Sequence, residues 1–175
     1  MPRNQMQQTG LGTQATLQAI PNGPAGTRAT LQVMARLIRQ AKKDPAIRDK
    51  ALALTRHLRS KDWVGEIKSI FIFVRDRVRY VQDVYGIETI AEAGVTLRQM
   101  QGDCDDKSVL AGALLQSIGH PVKLLAVGFD GGPFSHVLVE TLIGPRWVPM
   151  ELTEPLPFGV YPDGITSMLP LQVPL

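Results

Sequence analysis

The sequence predicts an α+β fold in which helices come first and a small antiparallel sheet follows. Apolar residues recur at spacings of three and four until about residue 119, and short alternating segments with glycine-containing turns come after them. The length of 175 residues, with 44% hydrophobic and 20% charged residues, is typical of one globular domain. Helices followed by a run of strands indicate the α+β class.

The chain divides by composition into an arm, a domain and a tail. Residues 1–27 are rich in Gln, Thr, Gly, Ala and Pro without sustained periodicity, which predicts a flexible or partner-docked arm. A single domain is predicted over 28–154, with a basic helical part at 28–80 and a cysteine-bearing helix plus sheet at 102–154. The proline-rich residues 155–175 predict an extended tail over the surface.

Three helices are predicted in the basic part. The first carries an apolar stripe from Leu31 to Ala41, the second begins after the N-cap Asp44, and the third begins after the N-cap Asp62 and ends near Tyr80. These stripes predict core packing and contain no cofactor motif. Mixed, glycine-punctuated residues 81–101 predict a loop.

The fourth helix begins after Asp103 and ends at Gly119, where glycine favours termination. Three strands are predicted after it, over residues 121–129, 134–143 and 146–152, because turn signals "DGGP" and "IGPR" separate them.

Charge is unevenly distributed along the chain. Residues 28–79 hold 14 Lys and Arg against 5 Asp and Glu, a balance of +9, so the rest carries 5 against 11, or −6. Nucleic acid, an anionic polymer or an acidic partner could bind a basic face. Without a nucleic-acid motif or interleaved aromatic residues, a solvated helical surface is the preferred interpretation, and nucleic acid is not a predicted partner.

Several locations are disfavoured by the same composition. The longest apolar run, "SIFIFV", is too short to span a bilayer, and the N-terminal residues have no signal-peptide core. A single cysteine cannot form an internal disulfide. We therefore expect a cytoplasmic protein with no membrane span.

The stretch "GDCDDKS" contains that cysteine. With Asp103 as N-cap, Cys104 lies in the first helical turn, where the helix dipole favours a thiolate. The carboxylates of Asp103, Asp105 and Asp106 suit the first turn but oppose ionisation of the thiol. Activation of Cys104 therefore requires an imidazole nearby.

His136 is the histidine best placed for that role. His57 lies on a charged helix and His120 in a turn, whereas His136 lies near the start of a strand. A hairpin around "IGPR" brings residue 136 opposite positions 151–153, where Glu151 could orient the ring. A metal site at "DCDD" is disfavoured because its side chains diverge and zinc-type spacing is lacking, so no metal or cofactor is predicted.

The sequence resembles the transglutaminase-like superfamily, most closely its small bacterial and phage cysteine peptidases, over about residues 65–155. The resemblance rests on "IFIFVRDRVRYVQD", "GDCDDKSVLAGALLQSIGHPVKLLAVG", "FSHVLVE" and "RWVPMELTEP". It implies a papain-like α+β fold in which Cys104 is the nucleophile, His136 the base and Glu151 the acid.

This sequence departs from the family pattern at the acidic residue, where Asp is usual and this chain has Glu151. The longer side chain requires the backbone to accommodate one more methylene, and Glu154 is the less favoured substitute. For the oxyanion, the backbone N–H of Cys104 is a candidate donor, and the side chains of Tyr80, Gln82 and Gln101 are open alternatives.

Two function classes follow. The first is a cysteine-dependent enzyme that acts on amides of a protein or a peptidoglycan peptide through a thioester, with hydrolysis preferred to acyl transfer. The second is a structural or interaction module of the same fold, such as a component of a phage particle or prophage assembly, which docks on partners through the arm and the tail.

Overall fold

The computed structural model describes residues 23–82 and 89–175 of the chain. The helices and strands, in chain order, are α1 (Pro24–Ala41), α2 (Pro45–Thr55), α3 (Trp63–Arg77), β1 (Arg79–Tyr80), α4 (Ala93–Gln99), β2 (Gln101–Gly102), α5 (Cys104–Ser117), β3 (Val122–Phe129), β4 (Phe134–Ile143), β5 (Arg146–Met150) and β6 (Ile165–Val173).

Side-chain caps set the starts of α2 and α3 as the sequence predicts. The Ala46 N–H donates to the Asp44 carboxylate at 2.9 Å, and Pro45 occupies the first helical position, where its missing N–H costs nothing. The Gly65 N–H donates to the Asp62 carboxylate at 2.9 Å. Each cap satisfies a first-turn N–H that lacks an intrahelical acceptor.

Helix α5 lies at the centre of the molecule and is buried from residue 106 to residue 117. Helices α1, α2, α3 and α4 and strands β3 and β4 all contact it. Gly112 permits the approach of α1, because a Cβ there would lie 2.6 Å from Ile38 Cδ1. A helix that is apolar on all sides must be enclosed by other elements, and this one positions residue 104 at its N-terminal end.

The main sheet has four antiparallel strands in the order β5-β4-β3-β6. A two-residue turn joins β4 to β5, since Ile143 pairs with Arg146 and Gly144 supplies a φ of 57°. A separate parallel pair, β1 and β2, brings the end of α3 beside the residues that lead into α5. The predicted α+β class and the three predicted strands are confirmed.

The structure corrects several predicted boundaries at the N-terminal side. Helix α1 begins at Pro24, so the predicted arm 1–27 ends too late; residues 1–22 lie outside the described part. Proline at a first helical position was the overlooked signal. Helix α3 ends at Arg77 rather than near Tyr80.

The predicted loop at 81–101 was also wrong in part. It contains the seven-residue α4 and the strand residue Gln101, and its residues 83–88 lie outside the described part. Helix α4 has no side-chain cap and is too short to show a clear period, so the sequence gives little sign of it.

The proline-rich segment is not simply a surface tail. Its residues 165–173 form β6, which pairs with β3 along its length. Pro170 is tolerated there because β6 is an edge strand of the four-stranded sheet. None of the helices in residues 23–82 and 89–175 is long and apolar enough to cross a membrane.

Candidate active site

Cys104 is the first residue of α5, as predicted, and Asp103 caps that helix. The Asp103 carboxylate accepts the N–H groups of Asp105 and Asp106 at 2.9 and 3.1 Å. The Asp106 carboxylate reaches away from the helix and accepts the Ala91 N–H at 2.7 Å. Two of the three aspartates therefore fix the start of α5 and the segment that precedes α4.

The thiol of Cys104 is partly buried and has an acidic neighbour. Its Sγ lies 3.6 Å from Asp105 Oδ1, in position to donate its proton to that carboxylate. Burial raises the pKa of Cys104 far above its ordinary value, and the charges of Asp105 and Asp103 raise it further. A hydrogen bond from the Val137 N–H acts in the opposite direction but does not reverse the shift. Cys104 thus rests as a neutral thiol.

His136 and Glu151 form a hydrogen-bonded pair across the β4–β5 hairpin. Their Nε2 and Oε2 atoms are 2.8 Å apart. Val139 pairs with Met150, so residue 151 follows directly on β5 and lies near residues 136 to 138 of β4. The extra methylene of glutamate is accommodated, since its carboxylate reaches the ring.

The second oxygen of Glu151 is held by the loop that follows it. Oε1 accepts the Thr153 N–H at 2.7 Å, the Thr153 hydroxyl at 2.6 Å and the Glu154 N–H at 3.1 Å, and the residue has no exposed surface. Burial alone raises the pKa of Glu151, but the hydrogen bonds from His136 and Thr153 outweigh it and lower this pKa to about 2. Glu151 is therefore ionised.

This arrangement selects the form of the imidazole. An ionised Glu151 accepts a hydrogen bond from the N–H at His136 Nε2, which leaves Nδ1 of the neutral ring as the proton acceptor. The ring is 15% exposed and lies beside Phe129, with 6.4 Å between the two ring centroids. The Cys104 sulfur is hydrogen-bonded to the N–H of Val137, the residue next to His136.

A buried lysine lies one turn beyond the cysteine. Lys107 is 1% exposed, and its Nζ donates to the carbonyls of Val78 at 2.9 Å and Arg75 at 3.2 Å, at the end of α3. Burial lowers the pKa of Lys107, and the charges of Glu151 and Asp76 oppose that change. Sequence reasoning missed Lys107 because a lysine in a helix is usually a surface residue.

Tyr80, one of the candidate oxyanion donors, is brought near Cys104 by the β1–β2 pair. Tyr80 pairs with Gly102, and the Val81 N–H donates to the Gly102 carbonyl at 3.1 Å. Gln101, another candidate, accepts a hydrogen bond at 2.7 Å from the Arg79 guanidinium. The third candidate, Gln82, is exposed after β1.

The other sequence candidates are located elsewhere or have other contacts. His57 is exposed, as predicted, whereas His120 is buried and lies 2.8 Å from Glu66 Oε2 rather than simply in a turn. Glu154, the less favoured acid, contributes its backbone N–H to Glu151. Within the two described ranges, no three His, Cys, Asp or Glu residues are grouped as metal ligands would be.

Comparison with known proteins identifies the family. The model of the transglutaminase-like superfamily core matches residues 48–152, which is more than half of the chain. The chain belongs to the transglutaminase-like superfamily. The resemblance found in the sequence is thereby confirmed at this level. No curated protein matches the chain closely enough to count as a relative.

Two solved structures are similar in fold to this chain. One, provisionally named a cysteine protease, is from Cytophaga hutchinsonii, with 17% identity and a TM-score of 0.54; the match covers 73% of this chain and 40% of the other. The second, provisionally named a protease, is from Parabacteroides distasonis, with 15% identity, a TM-score of 0.56, and coverage of 71% and 26%. This chain thus spans less than half the length of either protein, and the likeness extends to the fold.

Proposed function

We propose that this protein is a cysteine-dependent enzyme that cleaves amide bonds, with Cys104 as nucleophile, His136 as general base and Glu151 as the group that orients the base. The observation that carries the proposal is the 2.8 Å hydrogen bond between His136 and a fully buried, ionised Glu151. Val137, the residue after His136, donates its N–H to the sulfur of Cys104 at the start of α5. Membership of a superfamily that includes such enzymes supports it.

The raised pKa of Cys104 defines how the reaction would begin. A thiol flanked by carboxylates is not ionised at rest, so its proton must leave as the sulfur attacks. His136 Nδ1 takes this proton while Glu151 stabilises the imidazolium that forms. The sulfur bonds to the carbonyl carbon, the C–N bond breaks, and His136 returns the proton to the departing amine. Water then resolves the thioester to an acid.

The substrate we propose is a protein or peptide amide, including a peptidoglycan stem peptide, with water preferred to an amine as acceptor. The two solved structures of similar fold carry provisional protease names, and this favours a peptide substrate. The competing hypothesis of an assembly component rested partly on a free C-terminal tail. That support is weaker, because residues 165–173 are a strand of the main sheet.

The proposal is tested by alkylation of the only cysteine with iodoacetamide at pH 7, followed by intact mass. We expect His136→Ala to slow the reaction by about 10²-fold, in the range that a positioned general base contributes. In this variant the rate should rise steeply with pH through the alkaline range, since the thiol pKa is raised and nothing assists its ionisation.

His120→Ala is the matched control, because His120 also lies 2.8 Å from a glutamate, at the opposite end of α5. It should alkylate at the wild-type rate, with circular dichroism confirming that both variants fold. Equal rates for wild type and His136→Ala would overturn the proposal.

A further inference from the structure

A catalytic cysteine needs donors for the oxygen of its substrate carbonyl, which becomes negatively charged when sulfur attacks. The backbone N–H of Cys104 is one suitable donor. It lies in the first turn of α5, where no carbonyl four residues earlier belongs to the helix. A second donor must come from outside α5, since the N–H groups of Asp105 and Asp106 already donate to the Asp103 carboxylate.

The β1–β2 pair directs Tyr80 toward that position. Residues paired in neighbouring strands project to the same face, and successive residues project to opposite faces. Tyr80 pairs with Gly102, and a Cβ at Gly102 would lie 2.5 Å from Asp106 Cβ in the first turn of α5. The face shared by Tyr80 and Gly102 is therefore the one turned toward the start of α5.

The two rival side chains are less well placed. Gln101 pairs with Arg79, so both project to the opposite face, where the Gln101 carbonyl accepts the Arg79 guanidinium at 2.7 Å. Gln82 lies beyond the two-residue ladder, so no strand pairing fixes the face to which its side chain projects. Of the three candidates from the sequence, Tyr80 is the one whose pairing places it on the face that meets α5.

The charges around the phenol keep its proton in place. Burial raises the pKa of Tyr80, and nearby negative charges, including those of Asp103 and Glu154, raise it further. Tyr80 is 48% exposed, so substrate can reach it.

Resting on the proposed function, we propose that Tyr80 is a further catalytic residue, whose phenol O–H donates to the substrate oxyanion together with the Cys104 backbone N–H. As the S–C bond forms, the π electrons of the carbonyl move to its oxygen, and the thiol proton moves to His136. When the C–N bond breaks, the oxygen re-forms its double bond. Between these events, the hydrogen bond from Tyr80 stabilises the negative charge on the substrate oxygen, and Tyr80 neither gains nor loses a proton.

The test compares two reactions of the same sulfur in the full chain. Iodoacetamide reacts at a saturated carbon and develops no oxyanion, whereas p-nitrophenyl acetate forms a thioester through a tetrahedral oxyanion. We expect Tyr80→Phe to alkylate at the wild-type rate but to acylate about 10²-fold more slowly, the lower range for loss of one oxyanion donor. Intact mass measures both adducts.

Val81→Ala is the matched control, because Val81 is the exposed neighbour that projects to the other face. It should leave both reactions unchanged, and thermal melting checks that every variant folds. A drop in acylation for Gln101→Ala instead of Tyr80→Phe would overturn the assignment.

The outcomes separate this proposal from the proposed function. If Tyr80→Phe acylates like wild type, Tyr80 is not an oxyanion donor, although the His136-dependent thiol stands. If Tyr80→Phe slows both reactions equally, the residue acts on the thiol and the assignment is overturned. A wild-type protein that is not acylated, or that alkylates independently of His136, overturns both proposals.

Discussion

Cys104 and Glu151 are both withdrawn from solvent, yet the protein shifts their ionisation in opposite directions. Glu151 has no exposed surface, and its pKa is lowered to about 2, whereas the pKa of the partly buried Cys104 is raised. Burial disfavours the charged form of each. The difference lies in their partners, since Glu151 accepts four hydrogen bonds and Cys104 has carboxylates beside it. At Glu151, hydrogen-bond donors outweigh the effect of burial on the pKa. At Cys104, neighbouring carboxylates add to the effect of burial.

The two groups differ in when they are charged. The charge that is permanently present lies on Glu151, where hydrogen bonds from the loop stabilise it in the folded protein. In the proposed mechanism, the charge on sulfur exists only during reaction, when His136 has taken the proton. The raised pKa of Cys104 disfavours the thiolate at rest, which is the form that oxidants attack.

The strongest effect on stability is expected at Glu151, whose charge the folded protein stabilises. Glu151→Gln retains the shape of the side chain but removes the charge from its buried network. A shift of its pKa from 4.5 to about 2 corresponds to about 3 kcal/mol of stability at pH 7. Because the folded pKa is the lower one, this stability is present above about pH 4.5 and is lost as pH falls toward 2. Urea unfolding of both proteins measures it.

We expect the difference in unfolding free energy between wild type and Glu151→Gln to shrink from about 3 kcal/mol at pH 7 to about 1 kcal/mol at pH 3. Glu140→Gln is the control, since Glu140 is another buried carboxylate, held by Lys123 and Tyr161. It should destabilise the fold without changing alkylation of Cys104. A difference for Glu151→Gln that is equal at both pH values would contradict the ionised, hydrogen-bonded carboxylate.

A smaller effect is expected from the cap of α5. Asp103→Ala removes the acceptor of two first-turn N–H groups and should cost about 1 kcal/mol in urea unfolding. Asp62→Ala, which uncaps α3, should cost a similar amount but leave the alkylation rate of Cys104 unchanged. If Asp103→Ala were as stable as wild type, the aspartate would not be fixing the helix start.

A modest effect is expected at the thiol of Cys104. In the His136→Ala background, Asp105→Asn removes the nearest negative charge from the sulfur and should speed alkylation at pH 8 about threefold, because the thiol pKa falls. Asp49→Asn makes the same change in net charge on the exposed side of α2 and should have no effect. An unchanged rate for Asp105→Asn would show that the charge of Asp105 does not raise the thiol pKa.

The parts of this molecule that the sequence predicts correctly are those governed by nearby residues. The caps Asp44, Asp62 and Asp103 act within three residues of themselves, so their chemistry is visible in sequence. The pairing of His136 with Glu151 was predictable because strand alternation and a two-residue turn fix the hairpin register. The superfamily resemblance added the expected roles of these residues.

The parts that were missed depend on partners far along the chain. Strands β1 and β2 each have two residues, and their pairing joins positions 22 residues apart, which no local pattern marks. The prolines of residues 155–175 predict a tail, although residues 165–173 form strand β6. Its alternating pattern of burial arises from pairing with β3. Lys107 can be buried because its Nζ donates to carbonyls at the end of α3, and tertiary packing sets the position of those carbonyls.

The close approach of Gly102 to Asp106 has a consequence for reading mutations in this segment. With 2.5 Å between a would-be Cβ and Asp106, even alanine at position 102 must displace the first turn of α5, and with it the sulfur. Lys107, inserted beneath the end of α3, is equally hard to replace. A saturation screen would therefore show intolerance across most of "GDCDDK", although only one of these six residues would bond to substrate. Reaction chemistry and architecture would look alike there, and measurements on the thiol itself would distinguish them.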